Sequence, residues 1–263
     1  MERGTTGNNL AKGLGAVAVL VALGVAAAAA WNMGAFDALV GRNTPEAIEA
    51  RIDEEMEDHP AFAASYTTLE EEFPEDHANL KARMMEAYRE RGQPLDAIAR
   101  GDRYFEIFMQ RNGPIFAEAP DAKILEMRDA AIAVTEMLAA QDTRLCARFS
   151  MDGLGPTDLP TLEAQELIGA AARIKLQAMA AAIDMPTERE GPTRADIDAY
   201  ADVMLNMGMS EAQVADFFNG AFGLRRESAQ VQCDVGAIAH SALAALPDER
   251  AARLGAILLS GKR

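Results

Sequence analysis

Residues 13–31 hold no charged side chain, and this block of Leu, Val, Ala and Gly constrains the chain more than any other feature. A helix rising about 1.5 Å per residue over that length crosses the roughly 30 Å hydrocarbon layer of a bilayer. Leu14, Val17, Val19, Leu20, Val21, Leu23 and Val25 favour insertion, while Gly13, Gly15 and Gly24 oppose it. Lys12 closes the block on one side. Trp31, the only tryptophan, closes it on the other, where an indole prefers the headgroup boundary. Lys12 and Trp31 are therefore the expected membrane-interface residues, and the lipid bilayer is the first expected partner.

A basic N-region, an apolar core and small residues at Ala26–Ala30 also describe a cleavable signal peptide. The run continues into an interfacial tryptophan without a polar exit region, which favours an uncleaved signal-anchor. Arg3 and Lys12 lie on the short side, and the nearest basic residue beyond the block is Arg42. The N-terminus is thus expected in the cytoplasm and the bulk of the chain outside it. In a Gram-negative cell that means a single pass of the inner membrane and a periplasmic domain. A cleaved leader sends the same residues to the same side. The expected layout is a cytoplasmic tail at 1–12, a transmembrane helix at 13–31, a tether at 32–43 and an exported domain at 44–263.

Of the formal net charge of −16, residues 1–31 contribute only Glu2, Arg3 and Lys12, so the remainder carries −17. Such a surface repels phosphate backbones, so nucleic acid is not an expected partner. Basic protein partners are compatible with it. Cys146 and Cys233 are the only cysteines. In an exported domain an isolated pair is expected to be a disulfide, because the compartment oxidises accessible thiols. No C-x-x-C spacing points to redox or zinc chemistry.

The exported part reads as all-α, an irregular array of about nine to ten helices, since no stretch alternates with period two. Thr44-Pro45-Glu46 starts a helix striped by Ile48, Ile52 and Met56. Pro60 and Pro74 punctuate the next pieces, and Leu80, Met84 and Tyr88 stripe a further helix. Gly92 and Pro94 make a turn into another, marked by Leu95, Ile98, Phe105 and Phe108. Across this pair, Ala87, Tyr88, Gly92, Ala97 and Ile98 resemble the middle of a tetratricopeptide repeat. Met84 and Met85 stand where that pattern wants Leu-Gly, Gly101 where an aromatic is usual, and no second copy follows. The segment is therefore read as a generic helical hairpin.

Pro120 and Asp121 open one long helix through Leu125, Ile132 and Leu138 toward Cys146, which is expected at or past its end. Residues 150–161 gather Gly153, Gly155, Pro156 and Pro160 and mark a candidate sub-boundary. Helix resumes near Thr161 with Ile168, Ala172, Leu176, Met179 and Ile183 on one face. Capping boxes are expected at Thr193/Asp196 and Ser210/Gln213. The helix after Ser210, rich in Phe217, Phe218 and Phe222, is expected to run to Gly223. A helix through Cys233, Val235, Ile238 and Ala242 follows, and Pro247-Asp248 starts the last.

Chemistry is sparse. His59 and His77 read as surface residues at helix starts, and His240 lies on one helix with Cys233 without a third group to orient it. Asp196, Asp198 and Asp202 share a helix but lack a binding loop, and Ser150 lacks the glycines of a nucleophile elbow. Gly13-Leu14-Gly15 sits in the apolar block with no preceding strand, so it is not a dinucleotide fingerprint. No catalytic, metal or cofactor residue is assigned, and enzymatic activity is not the leading expectation. The expected role is a membrane-anchored extracytoplasmic interaction module, an accessory or scaffold protein with an unidentified protein partner. The alternatives are a released periplasmic binding protein and a helical enzyme.

Overall fold

The computed structural model describes residues 44–154, 158 and 160–260. The expected membrane helix at 13–31, with Lys12, Trp31 and the tether, lies outside these residues. Among those described, no helix is long and apolar enough to cross a membrane. Eleven α-helices and two short 3₁₀ helices account for the described chain, which holds no strand. The fold is all-helical, as the periodicity implies.

The chain divides into two compact units, 1–51 and 52–263. The described part of the first is residues 44–51, where α1 (Pro45–Met56) begins. Thr44 Oγ1 accepts the Ala47 N–H at 3.2 Å, and Ile48 is buried.

In the second unit, α2 (Pro60–Glu72), α3 (Pro74–Arg91) and α4 (Pro94–Asn112) each begin on a proline, whose missing N–H costs nothing in a first turn. The α3–α4 hairpin turns at Gly92, whose φ of +74° lets the backbone reverse without a Cβ clash. Leu80, Met84, Tyr88, Ile98 and Phe108 are buried, whereas Leu95 is exposed. Gly101 explains why no aromatic stands there: a Cβ would lie 2.5 Å from the Phe62 ring.

A 3₁₀ helix (Gly113–Glu118) leads to α5 (Asp121–Gln141). The helix opened at Pro120-Asp121 ends at Gln141, so Cys146 lies past its end, within the expected bounds, and a further short helix carries it. Asp142 leaves helical geometry at φ −152° and ψ 114°, and its carboxylate accepts the Arg144 N–H at 2.7 Å, starting α6 (Thr143–Met151). An aspartate in an otherwise apolar and basic run is an N-cap signal. Cys146 therefore sits inside α6 and faces Cys233 on α10 (Ala229–Ala244) at disulfide distance, Sγ–Sγ 1.99 Å. Both cysteines are buried beside Val134, Leu138, Ala147, Ala164 and Ala171.

The long helix α7 (Leu162–Asp184) packs on α2 and α5. Its contact with α2 is made by small residues: a Cβ on Gly169 would lie 2.9 Å from Ala64 Cβ and 3.1 Å from the Pro60 carbonyl. Its buried face is accordingly Ala164, Gly169, Ala171, Leu176 and Met179. Ile183, expected on that face, is exposed. Last come α8 (Arg194–Asn206), α9 (Glu211–Phe218), a second 3₁₀ helix (Leu224–Arg226), α10 and α11 (Asp248–Leu258). Tyr200, Met204, Met209, Val214, Leu224, Val235, Leu243 and Leu254 form their shared core.

Candidate interaction site

Both expected capping boxes form, and the second positions the least ordinary surface feature of the described chain. Ser210 Oγ accepts the Gln213 N–H at 3.2 Å, while Gln213 Oε1 accepts the Ser210 N–H at 2.8 Å. Met209 and Val214 on either side are buried, as a hydrophobic staple requires. From α8, Tyr200 donates its hydroxyl to the Ala239 carbonyl at 2.8 Å. Its ring meets Phe217 and Phe218 edge-on, each at 6.1 Å between centroids. The C-terminal end of α9 is thereby fixed to α8, which the Tyr200 hydroxyl ties to α10.

The helix stops at Phe218, five residues short of the expected Gly223. Gly220 has φ +87°, and Ala221 has φ +61°. Among the described residues Ala221 alone combines a side chain with positive φ, at a cost on the order of 1–2 kcal/mol. Its N–H is held by the Asp216 carbonyl at 2.8 Å. The Asp216 carboxylate covers Gly223, where any Cβ would collide with it. Beyond the turn Leu224 is buried, and Arg225 donates to the Met151 carbonyl at 3.0 Å and pairs with Asp152.

Pinned at both ends, the turn holds Phe222 outward at 75% exposure, with Phe218 beside the turn at 42%. Single exposed leucines are ordinary on protein surfaces. A phenylalanine presented by a strained, doubly anchored turn differs, because such strain persists where the surrounding structure imposes it and gathers at sites of recognition. The Asn219-Gly220 dipeptide was the sequence signal for this turn. The apolar count of the following residues masked it.

The titratable residues singled out in the sequence do not converge. His59 precedes α2 with its Nε2 3.8 Å from Glu55 Oε1. His77, expected at the surface, is only 7% exposed, because Tyr66 of the neighbouring α2 packs edge-on against its ring at 4.4 Å. His240 lies on α10, but Cys233 is engaged with Cys146. Its Nδ1 is 3.0 Å from Thr135 Oγ1, and burial depresses its pKa to about 4, so the ring is neutral at pH 7. Asp196 is turned inward to Thr193 and Arg253, and Asp198 pairs with Arg194 at 2.8 Å. No group of three His, Cys, Asp or Glu among the described residues is placed to hold a metal ion.

Two groups that composition did not single out have altered acidity. Lys175 on α7 sits over the Phe116 ring at 5.8 Å, and burial lowers its pKa to about 8. Asp102 on α4 is raised to about 6 by burial, with the charge of His59 opposing. An acid whose folded pKa exceeds its ordinary 3.8 loses stability as pH rises from about 4 to about 6. Asp102→Asn is therefore expected to stabilise the fold above pH 6 by on the order of 1–2 kcal/mol, with no gain below pH 4. Urea unfolding at both pH values checks this; equal effects at the two would refute it.

No protein-family model matches this chain, and no curated protein or solved structure matches it either.

Proposed function

We propose that the chain is a single-pass, membrane-anchored extracytoplasmic protein whose acidic helical domain acts through protein contacts as an accessory or scaffold module. The apolar block at 13–31 and its basic flank support the anchor. The bridged cysteines support export, because such bonds persist in oxidising compartments. The observation that carries the interaction reading is Phe222, held out at 75% exposure by the turn at Ala221. An aromatic side chain offered to solvent from a fixed backbone turn is suited to anchor a binding hot spot.

The test is site-specific photocrosslinking in native membranes, with benzoylphenylalanine at position 222 or, as a control, at the exposed Glu90 on α3. A discrete crosslinked species from position 222, absent from position 90, is expected. Phe222→Ser is expected to lose the partner while changing stability by less than about 0.5 kcal/mol, as a surface substitution does. Equal crosslinking from both positions would defeat the reading.

A further inference from the structure

A second surface, remote in sequence from the Phe222 turn, is built for a partner of definable chemistry. Between the end of the first 3₁₀ helix, the 186–192 loop and α11 lies a groove of about 380 Å³. Ala117, Pro186, Pro192, Ala256 and Ile257 give it apolar walls. The loop is fastened in place: the Thr187 N–H donates to the Glu118 carbonyl at 2.8 Å. Arg189, its side chain only 10% exposed, donates to the Ala117 and Ala119 carbonyls at 2.7 and 2.8 Å and pairs with Asp121. Next to the loop, Met185 is 73% exposed.

Charge decides what fits. The two cationic residues of the groove are committed internally, Arg189 to Asp121 and Arg253 to Asp196 and Glu249. Glu118, Glu188 and Glu190 are exposed and make no ion pair among the described residues. The groove thus joins apolar lining to three carboxylates that make no ion pair among the described residues. A second copy of this chain, at net charge −16, brings like charge and is disfavoured, as is an anionic lipid surface. We infer that the groove receives a basic segment of a protein partner, an apolar side chain against Ile257 and lysine or arginine against Glu118, Glu188 and Glu190. This deepens the interaction reading but stands on its own residues, so its failure leaves the Phe222 contact untouched.

Fluorescence anisotropy on the detergent-solubilised full chain tests it, using a labelled peptide of alternating lysine and leucine and a twin with glutamate for lysine. The variant E118Q/E188Q/E190Q is compared with E71Q/E86Q/E90Q, which removes as many exposed carboxylates elsewhere. The lysine peptide is expected to bind and the glutamate twin not. The groove variant is expected to weaken binding roughly tenfold or more and the control less than about threefold, since the charges act locally at physiological salt. Ile257→Ser is expected to weaken it as well. Equal loss in both triple variants, which marks attraction to overall charge, overturns the inference, as does undiminished binding by the groove variant.

Discussion

Replacing both Cys146 and Cys233 with alanine is expected to lower the unfolding free energy by about 4–5 kcal/mol. The magnitude follows from the loop that the bridge closes, a sequence separation of 87 residues, in the chain-entropy treatment of cross-links. The site adds to the effect. The two sulfurs tie α6 to α10 inside the packed cluster of Val134, Leu138, Ala164 and Ala171, so the bridge joins two faces that must dock anyway. For a domain of this size the loss corresponds to a fall in melting temperature of roughly 10–15 °C. Urea unfolding of the oxidised protein, the reduced protein and the double variant checks it. The last two are expected to coincide, and a loss under about 1 kcal/mol would show that the cluster holds without the bond.

Asp196→Ala is expected to cost a comparable amount, about 3–5 kcal/mol, the range for breaking a buried ion pair on one side. Asp196 is almost wholly buried, yet its two oxygens accept four hydrogen bonds and lie 3.5 Å from the Arg250 guanidinium as well. They accept from the Thr193 N–H at 2.9 Å and the Thr193 hydroxyl at 2.8 Å, and from Arg253 at 3.0 and 2.9 Å. The residue that caps α8 is therefore also the residue that fastens it to α11. Removing it strands the Arg253 guanidinium with Glu249 alone and frees the first turn of α8. Thr193→Ala, which loses only capping bonds, is expected to cost about 1 kcal/mol. The difference between the two variants measures the tie to α11.

The same pair sets an acid limit. The Arg253 guanidinium and the Thr193 donors hold the Asp196 carboxyl well below its ordinary 3.8. A carboxyl with a depressed folded pKa contributes stability that is complete above its ordinary pKa and lost as pH falls below it. The wild-type chain should therefore lose stability steeply below about pH 4, and Asp196→Asn should flatten that limb while starting lower at pH 7. Urea midpoints taken between pH 7 and pH 3 read both features. An unchanged acid limb in the variant would assign the pH dependence to other carboxyls.

Much of the architecture was legible because its signals are local. Prolines at 45, 60, 74 and 94 each begin a helix, and the boxes at Thr193 and Ser210 close as their spacing dictates. The separate short helix after Asp142 is not legible, because hydrophobic period passes through the break nearly unchanged. One capping carboxylate suffices to divide the run. The end of α9 is obscured for the opposite reason: Phe222 extends the apolar character of the helix in sequence, but the φ of Gly220 and Ala221 turns the chain before it arrives.

The candidate sites were harder to see, since they depend on which charges find partners across the fold. Nothing in the sequence near Arg189 states that Asp121 and two carbonyls of the preceding corner will absorb its donors. The same long-range pairing leaves Glu118, Glu188 and Glu190 uncompensated. Asp196 was legible as half of a capping box with Thr193, but nothing local announces that Arg253 from α11 also closes on it. Small-residue contacts such as Gly169 against Ala61 and Ala64 were invisible for a related reason: periodicity scores large apolar side chains, whereas close helix approach needs their absence.

The proposed anchor and the proposed protein partner both depend on compartment. The most direct measurement fuses the chain behind Arg263 to alkaline phosphatase, which is active only outside the cytoplasm, and in parallel to a fluorescent protein that matures only inside it. Strong phosphatase activity in the membrane fraction, with a dark fluorescent fusion, is the predicted result. A bright fluorescent fusion with inactive phosphatase would place the acidic helices in the cytoplasm and contradict the account.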